Sequence, residues 1–486
     1  MLTYSFTDTE GLSLYEYIYK CIKEDIIAGK LTANEKLPSK RVFAKNHGIS
    51  TVTVENAYGQ LMAEGYIYSE PKKGFFVSPI ENYIEDTIAK EPYKAESSHI
   101  MSDLHNSWSI SSTCSDFEDM EDGNDQHPVI DFISSRTPAG NFPFATWSKI
   151  MRQTLGEQEE KLLSKPSAGG VWPLREAIAR HLYDFRGISV NPEQIIVGAG
   201  TEYLYGLIVQ LLGRDKTYGL ENPCSNKIRN IYQSLDVKTI PIEMDDEGIL
   251  PEQEGLKESD VIQISPSHHF PTGVVTSISR RYAILGWANE SDDRYIIEDD
   301  YDSEFRLQGR PIPSLFSIDT SGKVIYFNTF SKTLASTIRI SYMVLPYSLL
   351  ERFKSALGFY SCTVSNFEQY ALATFIMDGY LERHINRMRI QYKAIRDQLI
   401  DQIKSSWLAP YISISQENAG LHFLLDIDTD MTDEQLKEKA LDMGIAVSFL
   451  SDYYDKTATG PAYLSDRHVA VINYSGLDSS GVDLRL

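Results

Sequence analysis

Cysteine is scarce in this chain: 486 residues contain four, Cys21, Cys114, Cys224 and Cys362, and no two form a C-x-x-C pair. Such spacing offers neither a disulfide framework nor a structural zinc site, and it fits a reducing compartment. Long apolar runs are lacking too. No stretch approaches the roughly 18–20 uninterrupted apolar residues that cross a bilayer. Met1-Leu2-Thr3-Tyr4-Ser5-Phe6 carries no basic leader ahead of an apolar segment, so no secretory signal is expected. Basic charge is in deficit, with 46 Lys+Arg against 68 Asp+Glu and a net charge of −22. Averaged over the chain, that deficit argues against nucleic acid, because phosphate contacts rely on Lys and Arg. What remains, 42% hydrophobic and 23% charged residues, is the composition of a soluble globular protein of roughly two to four domains. A cytoplasmic protein with no membrane partner is expected.

Counting by segment changes the picture. Residues 1–80 hold nine Lys or Arg and nine Asp or Glu, whereas residues 81–127 hold two lysines and twelve acids. The acidic, Ser-rich middle segment lacks apolar periodicity and reads as a flexible linker. As a coil its ends would stand roughly 35–40 Å apart, far enough for the flanking domains to move independently. The chain thus divides into three parts: 1–80, the linker 81–127, and 128–486.

In the first part Leu14, Ile18, Ile22 and Ile26 recur every four residues, the stripe of a helix ending near Gly29. Ser39 is an N-cap for a second short helix through Lys45. Ser50 caps a third, in which Val54, Ala57, Tyr58, Leu61 and Met62 follow helical spacing. Tyr66–Ser69 and Gly74–Val77 read as two strands joined by a turn with Lys72 and Lys73 at its tip. Three helices and a basic-tipped hairpin make a winged helix-turn-helix. Its third helix would offer Ser50, Thr51, Thr53 and Asn56 to a major groove. Lys40, Arg41, Lys45, Lys72 and Lys73 would meet phosphates, with Ser39 and Gly74 flanking them. On pattern alone, a small helical protein-interaction module fits equally.

From Pro128 onward, short β-branched or aromatic runs such as 194–197, 261–265, 294–298, 324–328 and 342–345 alternate with amphipathic helical segments. The expected architecture is an α/β domain on a mostly parallel sheet, with a smaller companion. Three motifs follow predicted strands, where such sheets bind ligands. Gly198-Ala199-Gly200-Thr201 opens a helix and suits a phosphate. Glu298-Asp299-Asp300-Tyr301-Asp302-Ser303-Glu304 is acidic but has no histidine at metal-ligand spacing, so no metal site is expected. Thr329-Phe330-Ser331-Lys332 precedes Arg339 by seven residues. Each alone is weak. Together they suit pyridoxal 5′-phosphate: a lysine for its aldehyde, a carboxylate for its ring nitrogen, a phenol for its ring oxygen, and a helix start with hydroxyls and an arginine for its phosphate.

Leu37-Pro38-Ser39-Lys40-Arg41, Glu64-Gly65-Tyr66-Ile67 and Gly74-Phe75-Phe76-Val77 resemble the GntR-type winged helix of bacterial repressors. That resemblance implies a DNA contact for Arg41. Relatives place arginines where this chain has Thr51 and Glu55, which implies greater reliance on two heads binding together. Residues 128–480 resemble fold-type I aminotransferases, large and small subdomains included. With the GntR head, the whole resembles the MocR/GabR subfamily of transcriptional regulators. Ser265-Pro266-Ser267-His268-His269-Phe270-Pro271-Thr272-Gly273 and Ile338-Arg339-Ile340-Ser341 carry that likeness.

The resemblance implies that Lys332 forms the internal aldimine, Asp299 pairs with the ring nitrogen and Tyr301 contacts the ring oxygen. Gly200, Thr201, Ser331 and Arg339 would hold the phosphate, with His268 and Phe270 beside the ring. Arg467 matches the arginine that grips the effector carboxylate. Ser225 and Lys227 stand where relatives carry an aromatic residue and a second arginine, which implies a different effector. The expected protein is a homodimeric regulator that binds operator DNA. It would sense a small amino compound (an amino acid, a dipeptide or a vitamin B6 form) by aldimine chemistry. The alternative is a working aminotransferase with an appended DNA-binding domain.

Overall fold

The computed structural model describes residues 13–70, 73–78, 130–134, 136–305, 313–417, 420–455 and 467–477. The proposed linker and Lys72 lie outside them. The head is built from three helices, α1 (Leu14–Ile27), α2 (Lys40–His47) and α3 (Thr51–Ala63). The apolar stripes have the expected effect: Ile18, Ile22 and Ile26 of α1 pack with Val54, Ala57, Tyr58 and Leu61 of α3 in one core. Ser39 and Ser50 cap α2 and α3, accepting from the amides of Val42 (3.3 Å) and Val52 (3.2 Å). The wing strands Ile67–Glu70 and Gly74–Val77 are antiparallel. A two-residue strand, Lys36–Leu37, which is too short to leave a periodic signal, adds to the second of them.

Behind the head lies a large domain on an eight-stranded sheet. Its order across the sheet is Ile195–Gly198, Ser341–Val344, Val324–Thr329, Tyr295–Asp299, Val261–Ile264, Thr217–Asn222, Lys238–Asp245 and Gly248–Ile249. The five strands from Val324–Thr329 to Lys238–Asp245 are mutually parallel, and antiparallel neighbours close both ends. Strands that are buried on both faces read as apolar runs, as in Val324–Phe327 of the strand Val324–Thr329, where every residue is buried. The smaller companion is a four-stranded antiparallel sheet of Ile412–Ser415, His422–Ile427, His468–Asn473 and Ser448–Phe449, packed with the long helix Tyr380–Ser405. No described helix is long and apolar enough to cross a membrane.

The head is not independent of the large domain, as the expected linker had suggested. Ile278, at the start of the helix Ile278–Asn289, is wholly buried in the head's own core. Its amide donates to the Glu64 carbonyl oxygen at 3.2 Å. Gly65 turns the chain there with φ +77°, and a Cβ on it would lie 3.1 Å from the Ile278 nitrogen. Both the backbone and the contact require glycine. Gly65→Ala is therefore expected to cost about 1–2 kcal/mol of stability, measurable by chemical denaturation.

Candidate functional site

On the head, Thr51, Glu55 and Asn56 of α3 are exposed on one face, with Arg41 exposed on α2. Glu55 pairs with Lys40 at 2.6 Å. Lys73 of the wing pairs with Glu70 at 2.6 Å. No acid among the described residues pairs with Arg41. Of the basic residues expected at phosphates, Arg41 and Lys45 are exposed with no acid partner among the described residues, while Lys40 and Lys73 share their charges.

The second site is a cavity of about 350 Å³ between the large and small domains, at the carboxyl ends of the central strands. Asp299, Tyr301, Thr201, Ser331, Lys332, Arg339, Phe270, Ser225 and Lys227 all line it. Lys332 sits on the short helix Phe330–Thr333, which leaves the strand Val324–Thr329 directly. Thr329 caps that helix by accepting from the Ser331 amide at 3.1 Å, and Ser341 donates to the Thr329 hydroxyl at 2.8 Å. The lysine is thus fixed by backbone and by a chain of hydroxyls. Burial lowers the Lys332 ammonium below its ordinary pKa, and Asp302 partly offsets the fall. A larger neutral fraction makes the amine a better nucleophile.

The acidic run separates into individual tasks. Glu298 accepts from the amides of Leu315 and Phe316, both at 2.8 Å. Asp300 turns away from the cavity to Arg186, 2.8 Å away and also buried. Asp299 faces the cavity. Its Oδ2 accepts from the Tyr205 hydroxyl at 2.8 Å, while its buried Oδ1 has no partner. Tyr205 in turn accepts from Gln263 at 3.0 Å, and Gln263 from Tyr232 at 2.7 Å. Burial raises the Asp299 carboxyl to about 6, the Tyr205 hydrogen bond opposing it and the charges of Asp300 and Asp302 adding to it. Burial, with Asp302 and Asp299, also pushes the Tyr301 phenol well above its ordinary value, so it stays protonated and able to donate.

Two expected site residues stand behind the cavity wall. Gly200 forms the turn at φ +87° beneath Thr201. His268 places its Nδ1 2.8 Å from Asp302 Oδ2 and stacks on His422, with ring centroids 4.6 Å apart. Phe270 meets His422 edge-on, with ring centroids 5.3 Å apart. Arg467 is not brought to the cavity. It pairs with Asp426, and the residue of its following strand that reaches the wall is Asn473. A strand advances about 3.3 Å per residue, so six residues put Arg467 roughly 20 Å away along the chain.

Sequence reasoning missed Tyr205, Glu202, Asp302 and His422. Tyr205 stands one helical turn beyond Thr201, a spacing that could have revealed it. Asp302 lay inside the acidic run but had no partner visible in sequence. His422 enters from the small domain and left no local signal.

Residues 14–77 match the family of bacterial regulatory proteins of the gntR type, and residues 136–454 match aminotransferases of class I and II. The HTH-type transcriptional regulator YdeL of Bacillus subtilis is 35% identical over 90% of this chain and 89% of its own length. The chain belongs to the MocR-type HTH transcriptional regulators. The probable rhizopine catabolism regulatory protein MocR of Rhizobium meliloti is 29% identical over 96% of this chain and 90% of its own. Among solved structures, the multiple substrate aminotransferase of Thermococcus profundus aligns with a TM-score of 0.62 at 24% identity, covering 73% of this chain and 88% of that one. That likeness shows the fold.

Aminotransferases of this class bind pyridoxal phosphate, and the MocR-type regulator carries residues that fit it. The unpartnered Asp299 Oδ1 is the acceptor that a ring N–H requires, since a buried carboxylate oxygen left unpaired is costly. Tyr301 can donate to a ring oxygen. Thr201, Ser331, Arg339 and the start of the helix Thr201–Leu212 supply donors for a phosphate. Among the described residues no group of His, Cys, Asp and Glu could hold a metal ion.

Proposed function

We propose that this MocR-type regulator binds operator DNA through α3, Arg41 and the wing, and senses a small amino compound in its aminotransferase-like domain by aldimine chemistry at Lys332. The observation that carries the sensing half is the unpartnered Asp299 Oδ1 in the wall that also presents Lys332. When bound, pyridoxal phosphate supplies an aldehyde that exchanges between the lysine and an incoming primary amine. Asp299 holds a proton at the ring nitrogen, Tyr301 orients the ring oxygen, and Thr201, Ser331 and Arg339 anchor the phosphate. His268 positions Asp302 beside the lysine. A ligand shifts the arrangement of heads only by favouring one arrangement over the other, and filling the cavity between the large and small domains is such a discriminating event.

The working form is proposed to be a cytoplasmic homodimer, since two heads compensate for the few unpaired basic residues on each. Ser225 and Lys227 lie in the cavity wall and remain the effector-facing candidates, whereas Arg467, held by Asp426, is no longer one. Amino acids, dipeptides and vitamin B6 forms are the classes to screen. Titrating the cofactor-loaded protein with such a panel tests the reading: an effector displaces the visible absorbance band, and a panel without any such compound contradicts it. In the head, Arg41→Ala is expected to weaken operator binding about tenfold or more and to flatten its salt dependence by about one charge per head, as read by fluorescence anisotropy at several salt concentrations.

A further inference from the structure

Glu202 occupies an unexpected place for an acid. It is the second residue of the helix Thr201–Leu212, beside the donors that suit a phosphate. Its carboxylate is divided: Oε1 pairs with Lys227 and Oε2 with the guanidinium of Arg339. A Cβ placed on Gly200 would lie 2.6 Å from Glu202 Oε2 and closer still to the guanidinium. The carboxylate and its arginine thus rest directly on the glycine turn. Burial alone would raise the Glu202 carboxyl, but hydrogen bonds from Lys227, its own backbone and Arg339 hold it below the ordinary value. It is therefore an anion across the neutral pH range, seated where another anion is to bind.

Charge matching sets the consequence for a bound phosphate. Arg339 and Lys227 are two cations serving one acid. When a phosphate takes Arg339, Glu202 keeps Lys227, and each anion retains a cation. Without Lys227, the carboxylate and the phosphate would compete for a single arginine. Without Glu202, the arginine would wait unpaired for the phosphate, and loading would break no ion pair.

We propose that Glu202 is an internal competitor for the cofactor's phosphate, and that Lys227 is the positioning residue that holds Glu202 aside when the phosphate arrives. The pair lowers cofactor affinity relative to an acid-free cradle, so that occupancy is adjustable. It also gives Lys227 a task independent of the effector. This inference rests on the cofactor reading above.

The test uses the full chain freed of cofactor. Pyridoxal phosphate is titrated in and followed by visible absorbance, and inorganic phosphate is used as a competitor that reports on the cradle without the aldehyde. Glu202→Gln is expected to tighten both ligands about tenfold, and Lys227→Met to weaken both about tenfold. In the double variant the Lys227→Met loss disappears, because no acid remains to be held. A folding defect weakens binding and does not tighten it, so the gain in Glu202→Gln is diagnostic. Unchanged or weaker binding by Glu202→Gln overturns the inference. So does a Lys227→Met loss that persists undiminished in the double variant. A wild-type protein that binds no pyridoxal phosphate overturns the cofactor reading itself, whereas wild-type binding without the Glu202→Gln gain overturns this inference alone.

Discussion

Lys332→Ala is expected to abolish the visible absorbance that pyridoxal phosphate acquires on this protein, and with it every response to an amino effector, while operator affinity stays within about twofold of wild type. The separation follows from where the parts lie. Lys332 leaves the strand Val324–Thr329 into the cavity, whereas the exposed face of α3 and Arg41 belong to the head, no residue of which lines that cavity. The head's contact with the large domain runs through Ile278 and Glu64, not through the lysine. Removing the side chain also relieves a buried ammonium, whose pKa burial already depresses. Absorbance and anisotropy on the same preparation check the claim. Loss of operator binding in a folded Lys332→Ala protein would contradict the division of labour.

The second large effect concerns Asp299, where stability and function oppose each other. Its carboxyl titrates at about 6 in the folded protein without cofactor, against an ordinary value of about 3.9. A raised carboxyl contributes stability that is complete below the unfolded pKa and is lost as pH rises through the folded one. The cost of charging Asp299 therefore develops between about pH 4 and pH 6 and is constant above, reaching about 3 kcal/mol. Asp299→Asn should stabilise the cofactor-free protein by up to that amount at pH 8 and by almost nothing at pH 4. Denaturant titrations at the two pH values test this. The same substitution removes the acceptor for the ring N–H, so cofactor affinity should fall roughly 10- to 100-fold. A site that destabilises its own fold until a ligand arrives is a common form of functional strain.

Much of the fold and of the cofactor site is legible in the amino-acid sequence. The helices of the head show in their apolar period because one face of each is buried in a single core. The cofactor motifs show because each is a contiguous run at a strand end, and the fold brings strand ends together. What escapes has equally physical reasons. The head's dependence on Ile278 joins segments some two hundred residues apart, a contact with no local pattern. Arg467 reads as a ligand only through the family resemblance, yet the strand that follows it reaches the wall at Asn473. Glu202 leaves no local signal, since its meaning depends on Lys227 and Arg339 converging from two other elements.

The most direct test of the central claim is a simultaneous titration of the cofactor-loaded protein and its operator with one amino compound, recording absorbance and DNA anisotropy in the same cuvette. Coupled sensing predicts that the band shift and the change in operator affinity share a single midpoint, and that both vanish in Lys332→Ala. A band shift that leaves operator affinity unchanged, accompanied by sustained turnover with a keto-acid acceptor, would instead make the protein an aminotransferase that carries a DNA-binding head.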